Sequence, residues 1–356
     1  MTFFIKIFIY TFSILFNTIQ KGVNLFNPCL YFKMFRVVHD IEGKNRVKGN
    51  LWAILVLYEK AEIPFYVTNI IRVLNNLNIN ILISINDSVS SESLKYLEDN
   101  CNKLIVRKNF GRDFSAYKDA LTFLDLNKID KLILLNTSII YFKKNLQKTM
   151  ARFISNEYDV ISLFKSRAGK EHYQSFLISL SKKVLTDKKF INFWKSYLPF
   201  NNRKHSIKNG EIKLSSDVLN FYKSSLVVHS FYFFDDFKLI KDLDDKLFIN
   251  LLPNSERLSF MKISTHNLKV EYLNEVFFDN PSHKYAFLSY FKDKSLILKK
   301  DIFIRGTFSI PSILNNLNQL GIDKRESQLF LQILISQQHY NSMNVFNRSV
   351  FILGLR

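Results

Sequence analysis

Asn109, Gly111, Arg112 and Asp113 place an amide, a permissive backbone, a guanidinium and a carboxylate on one short stretch. A guanidinium grips phosphate through two parallel hydrogen bonds. The adjoining carboxylate can order that guanidinium or face the hydroxyls of a ligand. The plainer alternative is that Asp113 simply opens a helix, where acidic side chains meet the positive end of the dipole. The two roles are compatible, because helix N-termini also attract anions. Gly111 stands where a tight turn needs a backbone without a Cβ. Downstream, the apolar run Lys131–Leu135 ends in a polar triplet, Asn136-Thr137-Ser138.

The elements that must position these groups are legible. Ala116, Ala120, Leu121 and Leu124 define one helical face after the glycine turn. Leu51–Tyr58 is an unbroken apolar run of the kind that forms a strand buried on both faces. Pro64 marks a helix start, and Tyr66–Leu77 carries helical periodicity. Asn80–Ile85 reads as a second strand, Ser91–Asn100 as a helix, Lys103–Lys108 as a third strand and Lys131–Leu135 as a fourth. Tyr158–Phe164 reads as a fifth strand, His172–Leu185 as a strand entering a turn, and Asp187–Tyr197 as a short helix. Glu211–Tyr222 reads as another helix, and the chain after Pro281 as mostly helical. This alternation predicts an α/β fold with a mostly parallel sheet flanked by helices. Ligands of such sheets collect outside the carboxyl ends of the strands, so the glycine turn and the polar triplet border one crevice.

With 356 residues, 47% apolar and 23% charged, the chain is globular and long enough for a substantial core. Its 35 Phe reflect a biased codon pool as much as selection. The net charge of +19 fits either a solvated lysine-rich surface or an anionic partner. No RNA-binding signature, zinc-finger spacing or basic heptad helix is present, which sets nucleic acid behind a membrane surface or a phosphorylated substrate. Cys29 and Cys101 lie in no paired motif, so neither structural zinc nor a disulfide framework is indicated.

The apolar stretch Phe3–Phe16, interrupted by Lys6, is shorter than the roughly 20 residues a spanning helix needs. A signal peptide would want a charged start and a small-residue cleavage site, and neither is evident. With Lys21, Lys33 and Arg36 beyond it, Met1–Arg36 reads as a helical segment lying on an anionic membrane surface, or else as an ordinary helix packed on the domain.

The order of elements resembles a GT-A glycosyltransferase, and the glycine turn resembles the NxGxxxAxN turn of family 2 enzymes. A closer resemblance is to the rhamnan synthesis protein F family of bacterial polysaccharide glycosyltransferases. Asn109–Tyr117 resembles its N-x-G-R-D-x-x-A-Y, and Leu134–Ser138 its L-N-D-S. His172–Leu185 with Phe190–Trp194 resembles its H-x-Q-S-[YF]-F…FW block. Gly210–Leu219, Asn280–His283 and Ser295–Ile304 resemble its later elements, and the resemblance spans about Asn50 to Gly306. It divides the chain into a possible membrane-surface segment (1–49), a GT-A-like domain (50–306) and a helical C-terminal extension (307–356).

The resemblance implies a nucleotide-sugar donor held by Asp87, Asn109, Gly111, Arg112 and the triplet Asn136, Thr137 and Ser138. The alternative for Asp87 is an Asx-turn or a helix cap. Glu211, at what reads as a helix start, is implied as the general base, with Asp113 beside the donor sugar; the alternative for Glu211 is a plain first-turn acid. His172, Gln174 and Trp194 are implied at the acceptor site, Trp194 by stacking on a sugar ring, although Trp in a helix is more often core. The triplet departs from the family where carboxylates would hold a metal, because hard cations prefer charged oxygens. A divalent metal, Mg or Mn, stays open for the family, but this triplet speaks against it. Leaving-group charge then falls to Arg112, lysines or backbone amides. Asp235-Asp236 fits a solvated loop better than a ligand set.

The expected activity is inverting transfer of a sugar, implied to be L-rhamnose from dTDP-L-rhamnose, to a surface polysaccharide or lipid-linked glycan acceptor. O-antigen and lipopolysaccharide synthesis come with that reading, as does a peripheral place at the cytoplasmic face of the bacterial inner membrane. One rival is a non-catalytic scaffold or acceptor-binding member of an assembly complex, favoured by the missing carboxylate at Thr137. Another is a nucleotidyltransferase, disfavoured because no carboxylates cluster for two metals.

Overall fold

The computed structural model describes residues 25–229 except 60 and 168, 242–257 except 255, and 281–336, with isolated positions 11, 15, 18, 19, 22 and 269. Most of Phe3–Phe16, together with Lys21, Asp235-Asp236, Asn280 and residues 337–356, lies outside the described residues.

The apolar runs fold as strands. In chain order these are β1 (Val37–Glu42), β2 (Leu51–Leu57), β3 (Asn80–Asn86), β4 (Lys103–Arg107), β5 (Lys131–Asn136) and β6 (Ile139–Tyr141). They continue as β7 (Val160–Ser162), β8 (Lys165–Ser166), β9 (His172–Tyr173), β10 (Leu177–Ser181), β11 (Ser225–Val227) and β12 (Ile297–Lys299). Eight of them form one sheet in the order β1-β4-β3-β2-β5-β10-β7-β11. β2, β3, β4 and β5 are parallel neighbours, and β11 runs parallel to β7. β1 and β10 run against them. The expected α/β class with a mostly parallel sheet is the observed one.

Both faces of the sheet are covered, as continuous apolar strands require. Leu55, Ile83 and Leu135 belong to one apolar cluster, and Ile54, Val56, Leu82 and Leu134 to the other. This is the period-two alternation of strand side chains with no polar face. Helix α1 (Phe65–Asn76) covers the first side; α2 (Ser91–Asn100) links β3 to β4. Helix α3 (Arg112–Leu121) and α4 (Lys188–Ser196) cover the second. Residues 310–336, expected as an extension, pack into the first cluster through Ile313, Leu317, Phe330 and Leu334. The Phe330 ring meets Phe142 at 5.5 Å and Phe303 at 4.9 Å.

The sequence reading needs correction at the amino-terminal side. The sheet begins at Val37, ahead of the boundary placed at Asn50, because β1 pairs antiparallel with β4. Its VVHDIE residues are mostly exposed, so no apolar run announced it. Arg36, read as a cation for an anionic leaflet, is instead buried. Its Nε and Nη2 atoms donate to the Asp119 carboxylate at 2.9 and 2.6 Å. Lys33 is likewise engaged, with Nζ 2.9 Å from Thr122 Oγ1 and 4.0 Å from the centre of the Phe123 ring.

Asp119 also accepts from Arg107 Nε at 3.1 Å, so one buried carboxylate serves two buried guanidinium groups. Replacing Asp119 by Ala leaves both cations without it, and breaking a buried pair costs roughly 3–5 kcal/mol. The expected outcome in urea unfolding is a lower midpoint with an unchanged slope. A loss below about 1 kcal/mol, the size of an exposed pair, would show that the network carries little.

Candidate functional site

Four strand ends converge as the crossover rule anticipates. Tyr58 follows β2, Asp87 follows β3, the 108–112 turn follows β4, and Asn136-Thr137-Ser138 closes β5. Three adjoining residues are held in the left-handed region: Asp87 at φ 82°, Gly111 at φ 77° and Arg112 at φ 55°. Asp adopts this region at modest cost, whereas an arginine there is a strained choice that its surroundings must enforce. At Gly111 a Cβ would also lie 2.5 Å from Pro199 Cβ and 2.6 Å from Ser115 Cβ, so only glycine fits.

Arg107 fixes this turn from beneath. Its Nη2 donates to Phe110 O at 2.8 Å and to Ser115 Oγ at 2.7 Å, while Nη1 reaches Asn86 Oδ1 at the end of β3. Above the turn, Asn109 Nδ2 donates to Asp87 Oδ2 at 3.4 Å and ties the ends of β3 and β4 together.

Glu211 enters the same crevice by a route the sequence did not show. It does not open a helix. A continuous helical run starts at Arg203 behind the Asn202 cap, and Glu211 lies within a π-helical stretch, Ser206–Ile212, before Lys213–Asp217 resumes the α form. Its charge therefore gains nothing from a helix N-terminus. The wider π turn is a feature that recurs at functional sites because it re-aims side chains. Gly210 brings this run onto α3: a Cβ there would sit 2.6 Å from the Phe114 ring. That close approach sets Glu211 near Asp113, the residue before Phe114.

Glu211 is firmly oriented. Its Oε1 accepts from Ser175 N at 2.6 Å and from Ser175 Oγ at 3.0 Å. Its Oε2 lies 3.6 Å from His172 Nε2. His172 Nδ1 lies 2.6 Å from Lys170 O, and a carbonyl only accepts, so Nδ1 carries the proton. Burial pushes the Asp113 carboxyl above the usual carboxylate range. The Tyr58 hydroxyl and Arg112 oppose that rise, and the charge of Glu211 adds to it. Two acids in different settings thus lie near one another at the strand ends.

The remaining expected positions divide. Asn109 is exposed at the crevice, and Ser138 is half-buried. Asn136 and Thr137 are buried and turned to internal duties. Asn136 Oδ1 accepts from Ser138 N at 2.9 Å, and Thr137 Oγ1 accepts from Tyr58 N at 3.1 Å. The triplet therefore does not fit a metal, and among the described residues no group of three or more His, Cys, Asp or Glu is arranged to hold one. Gln174 is buried beside β9, its N–H donating to Phe164 O at 3.0 Å. Trp194, expected to stack on a sugar, is core instead: it is buried and its ring stacks on Phe114 at 5.7 Å. Tyr58 and Ser175 went unnoticed in the sequence. Tyr58 closes an apolar run and Ser175 directly follows the expected Gln174, signals too common to single them out.

Residues 81–233 match the family model described as rhamnan synthesis protein F. The resemblance read from the motifs is borne out over that stretch, which contains Asp87, the glycine turn, His172 and Glu211 and is narrower than the span from Asn50 to Gly306. The chain is 26% identical over 210 residues to the uncharacterized protein y4gN of Sinorhizobium fredii, covering 57% of this chain and 54% of the relative. It thus spans about half the length of the curated relative it matches. Among solved structures it is similar to the glycosyltransferase GlyE of Streptococcus pneumoniae TIGR4, at a TM-score of 0.35 and 14% identity, over 71% of this chain and 55% of that one. The apo form of GlyE gives a TM-score of 0.34 and 13% identity, over 82% and 65%.

A carboxyl whose pKa is raised by folding adds stability below its unfolded pKa and loses it as pH rises through the folded value. Asp113 therefore makes the protein less stable as pH climbs from about 4 toward neutrality. Asp113→Asn removes that slope. Thermal unfolding across this window is expected to show the variant gaining on the parent at neutral pH. A variant that loses more than the parent as pH rises would contradict the raised pKa.

Proposed function

We propose that the protein is an inverting GT-A-like glycosyltransferase that moves a sugar from a nucleotide-sugar donor to a bacterial surface polysaccharide or its lipid-linked precursor. The observation that carries this reading is the Glu211 carboxylate, oriented by Ser175 with His172 alongside, near Asp113 at the carboxyl ends of the parallel strands. The family match over residues 81–233 supports it. The donor taken from the family's name is dTDP-L-rhamnose, and the product glycan belongs to an O-antigen or related envelope polysaccharide.

In this reading Ser175 occupies Oε1, and Oε2 of Glu211 accepts the proton of the acceptor hydroxyl. The freed oxygen attacks the anomeric carbon from the face opposite the phosphate. The sugar–oxygen bond to the diphosphate breaks, the nucleoside diphosphate departs with the electron pair, and configuration inverts. Asp113 orients donor hydroxyls, and Arg112 faces the diphosphate from its strained turn. No metal is held by the Asn136–Ser138 triplet.

Among the described residues no helix is long and apolar enough to cross a membrane. Attachment to a membrane surface is proposed through the amino-terminal segment, where Phe26 and Met34 are 89% and 76% exposed. A scaffold or acceptor-binding role is the second reading, favoured by the inward-turned side chains of Asn136 and Thr137. Donor hydrolysis by the purified protein separates the two.

Glu211→Gln keeps the hydrogen-bonding shape and removes the base. The expected loss in transfer rate is about 100- to 10,000-fold, the size of general-base assistance, with donor affinity retained. Sugar transfer from labelled donor, run in chelator and in parallel with added magnesium or manganese, measures it. Near-parental turnover by the variant would remove Glu211 from the mechanism. A requirement for magnesium or manganese would remove the metal-free reading.

A further inference from the structure

A departing diphosphate needs positive charge, and the triplet at the end of β5 offers no carboxylate to hold a metal. The segment paired with that triplet offers cations directly. β12 runs antiparallel to β6 with Lys299 opposite Ile139, and Lys300 N donates to Ser138 O at 2.8 Å. This pairing delivers Lys299, Asp301 and Arg305 to the edge of the crevice. The Asp301 carboxylate is paired with Arg203, lies 3.8 Å from Arg305 Nη2 and lies 4.0 Å from His283 Nε2. Arg203 opens the helical run that carries Glu211. Lys299 Nζ lies 4.9 Å from the centre of the Phe176 ring, next to Ser175, which holds Glu211.

Pro199, just ahead of Arg203, lies against Gly111 and so brings the start of that helical run to the glycine turn. Burial lowers the Arg112 pKa, and the like charge of Arg203 lowers it further. Lys299 favours the ionised form of Asp113. Positive charge concentrated beside the glycine turn is where a diphosphate would be attracted.

We infer that Arg112, Arg203 and Lys299, with Asp301 holding Arg203 in place, form a diphosphate-binding cradle that does the work of a metal ion. The inference rests on the nucleotide-sugar reading and names the groups that read the donor's phosphates.

The test uses the full chain in chelator, titrated with inorganic pyrophosphate, with dTDP, UDP and GDP, and with the corresponding nucleosides. The parent protein is expected to bind pyrophosphate and at least one nucleoside diphosphate, more weakly as salt rises. Lys299→Gln and Arg203→Gln are each expected to weaken pyrophosphate at least tenfold, leaving nucleoside binding unchanged. Arg203 is an ion-pair partner of Asp301, so its variant is compared only at matched thermal stability. Lys299 makes no ion pair within 4 Å of Asp301, and its variant decides the matter if Arg203→Gln does not fold. Equal pyrophosphate affinity in parent and Lys299→Gln overturns the cradle, as does binding that appears only with added magnesium. Transfer at parental efficiency by Lys299→Gln also overturns the cradle and leaves the transferase reading intact. Lysine-dependent pyrophosphate binding without any sugar transfer keeps the cradle and overturns the transferase.

Discussion

A buried guanidinium must have every donor answered, and Arg107 is the group around which this chain arranges itself. It reaches Asp119 in α3, Asn86 at the end of β3, and Phe110 O and Ser115 Oγ at the turn. One side chain thereby sets the spacing between two strand ends and the pitch of the helix that follows. The left-handed backbone at Gly111 and Arg112 is tolerable because this scaffold leaves the turn nowhere else to go. Asp119 balances the charge and recruits Arg36, which fastens the amino-terminal segment and β1 to the same point.

From that anchor the acids follow. Asp113 opens α3 immediately after the strained turn, and the Phe114 ring beside it receives Gly210 in close contact. Glu211 is then placed by backbone contact, and Ser175 sets its rotamer. The two carboxyl groups differ because their surroundings differ: Asp113 is desolvated, while Glu211 receives two hydrogen bonds on one oxygen. A site built this way is preorganised by packing, which is the condition for electrostatic assistance to cost nothing at the moment of reaction.

Much of the central sheet could be read from composition alone, since β2, β3, β4 and β5 are apolar runs bounded by turn residues. The glycine turn was legible because its glycine has a steric reason to be there. β1 was not, since VVHDIE earns its place by edge pairing and by the buried Arg36 beside it. The π stretch around Glu211 was invisible for a related reason: its register depends on Gly210 meeting a ring far away in sequence. Trp194 misled because an indole that stacks on Phe114 and one that stacks on a sugar look identical in a string of letters. Asn136 and Thr137 occupy the expected place, yet their side chains close the turn between β5 and β6.

The pairing of β6 with β12 has a consequence for the order in which the molecule comes into being. On synthesis, β6 emerges with the middle of the sheet, but its partner Ile297–Lys299 arrives much later. Until then the strand presents bare backbone donors and acceptors, the template on which unfinished chains adhere to one another. Closing so long a loop is entropically slow, so this two-stranded seam is a late event in folding. A fragment confined to residues 81–233 would carry both acids but lack β2 from the middle of the sheet as well as β12 beside the crevice, leaving several strand edges bare.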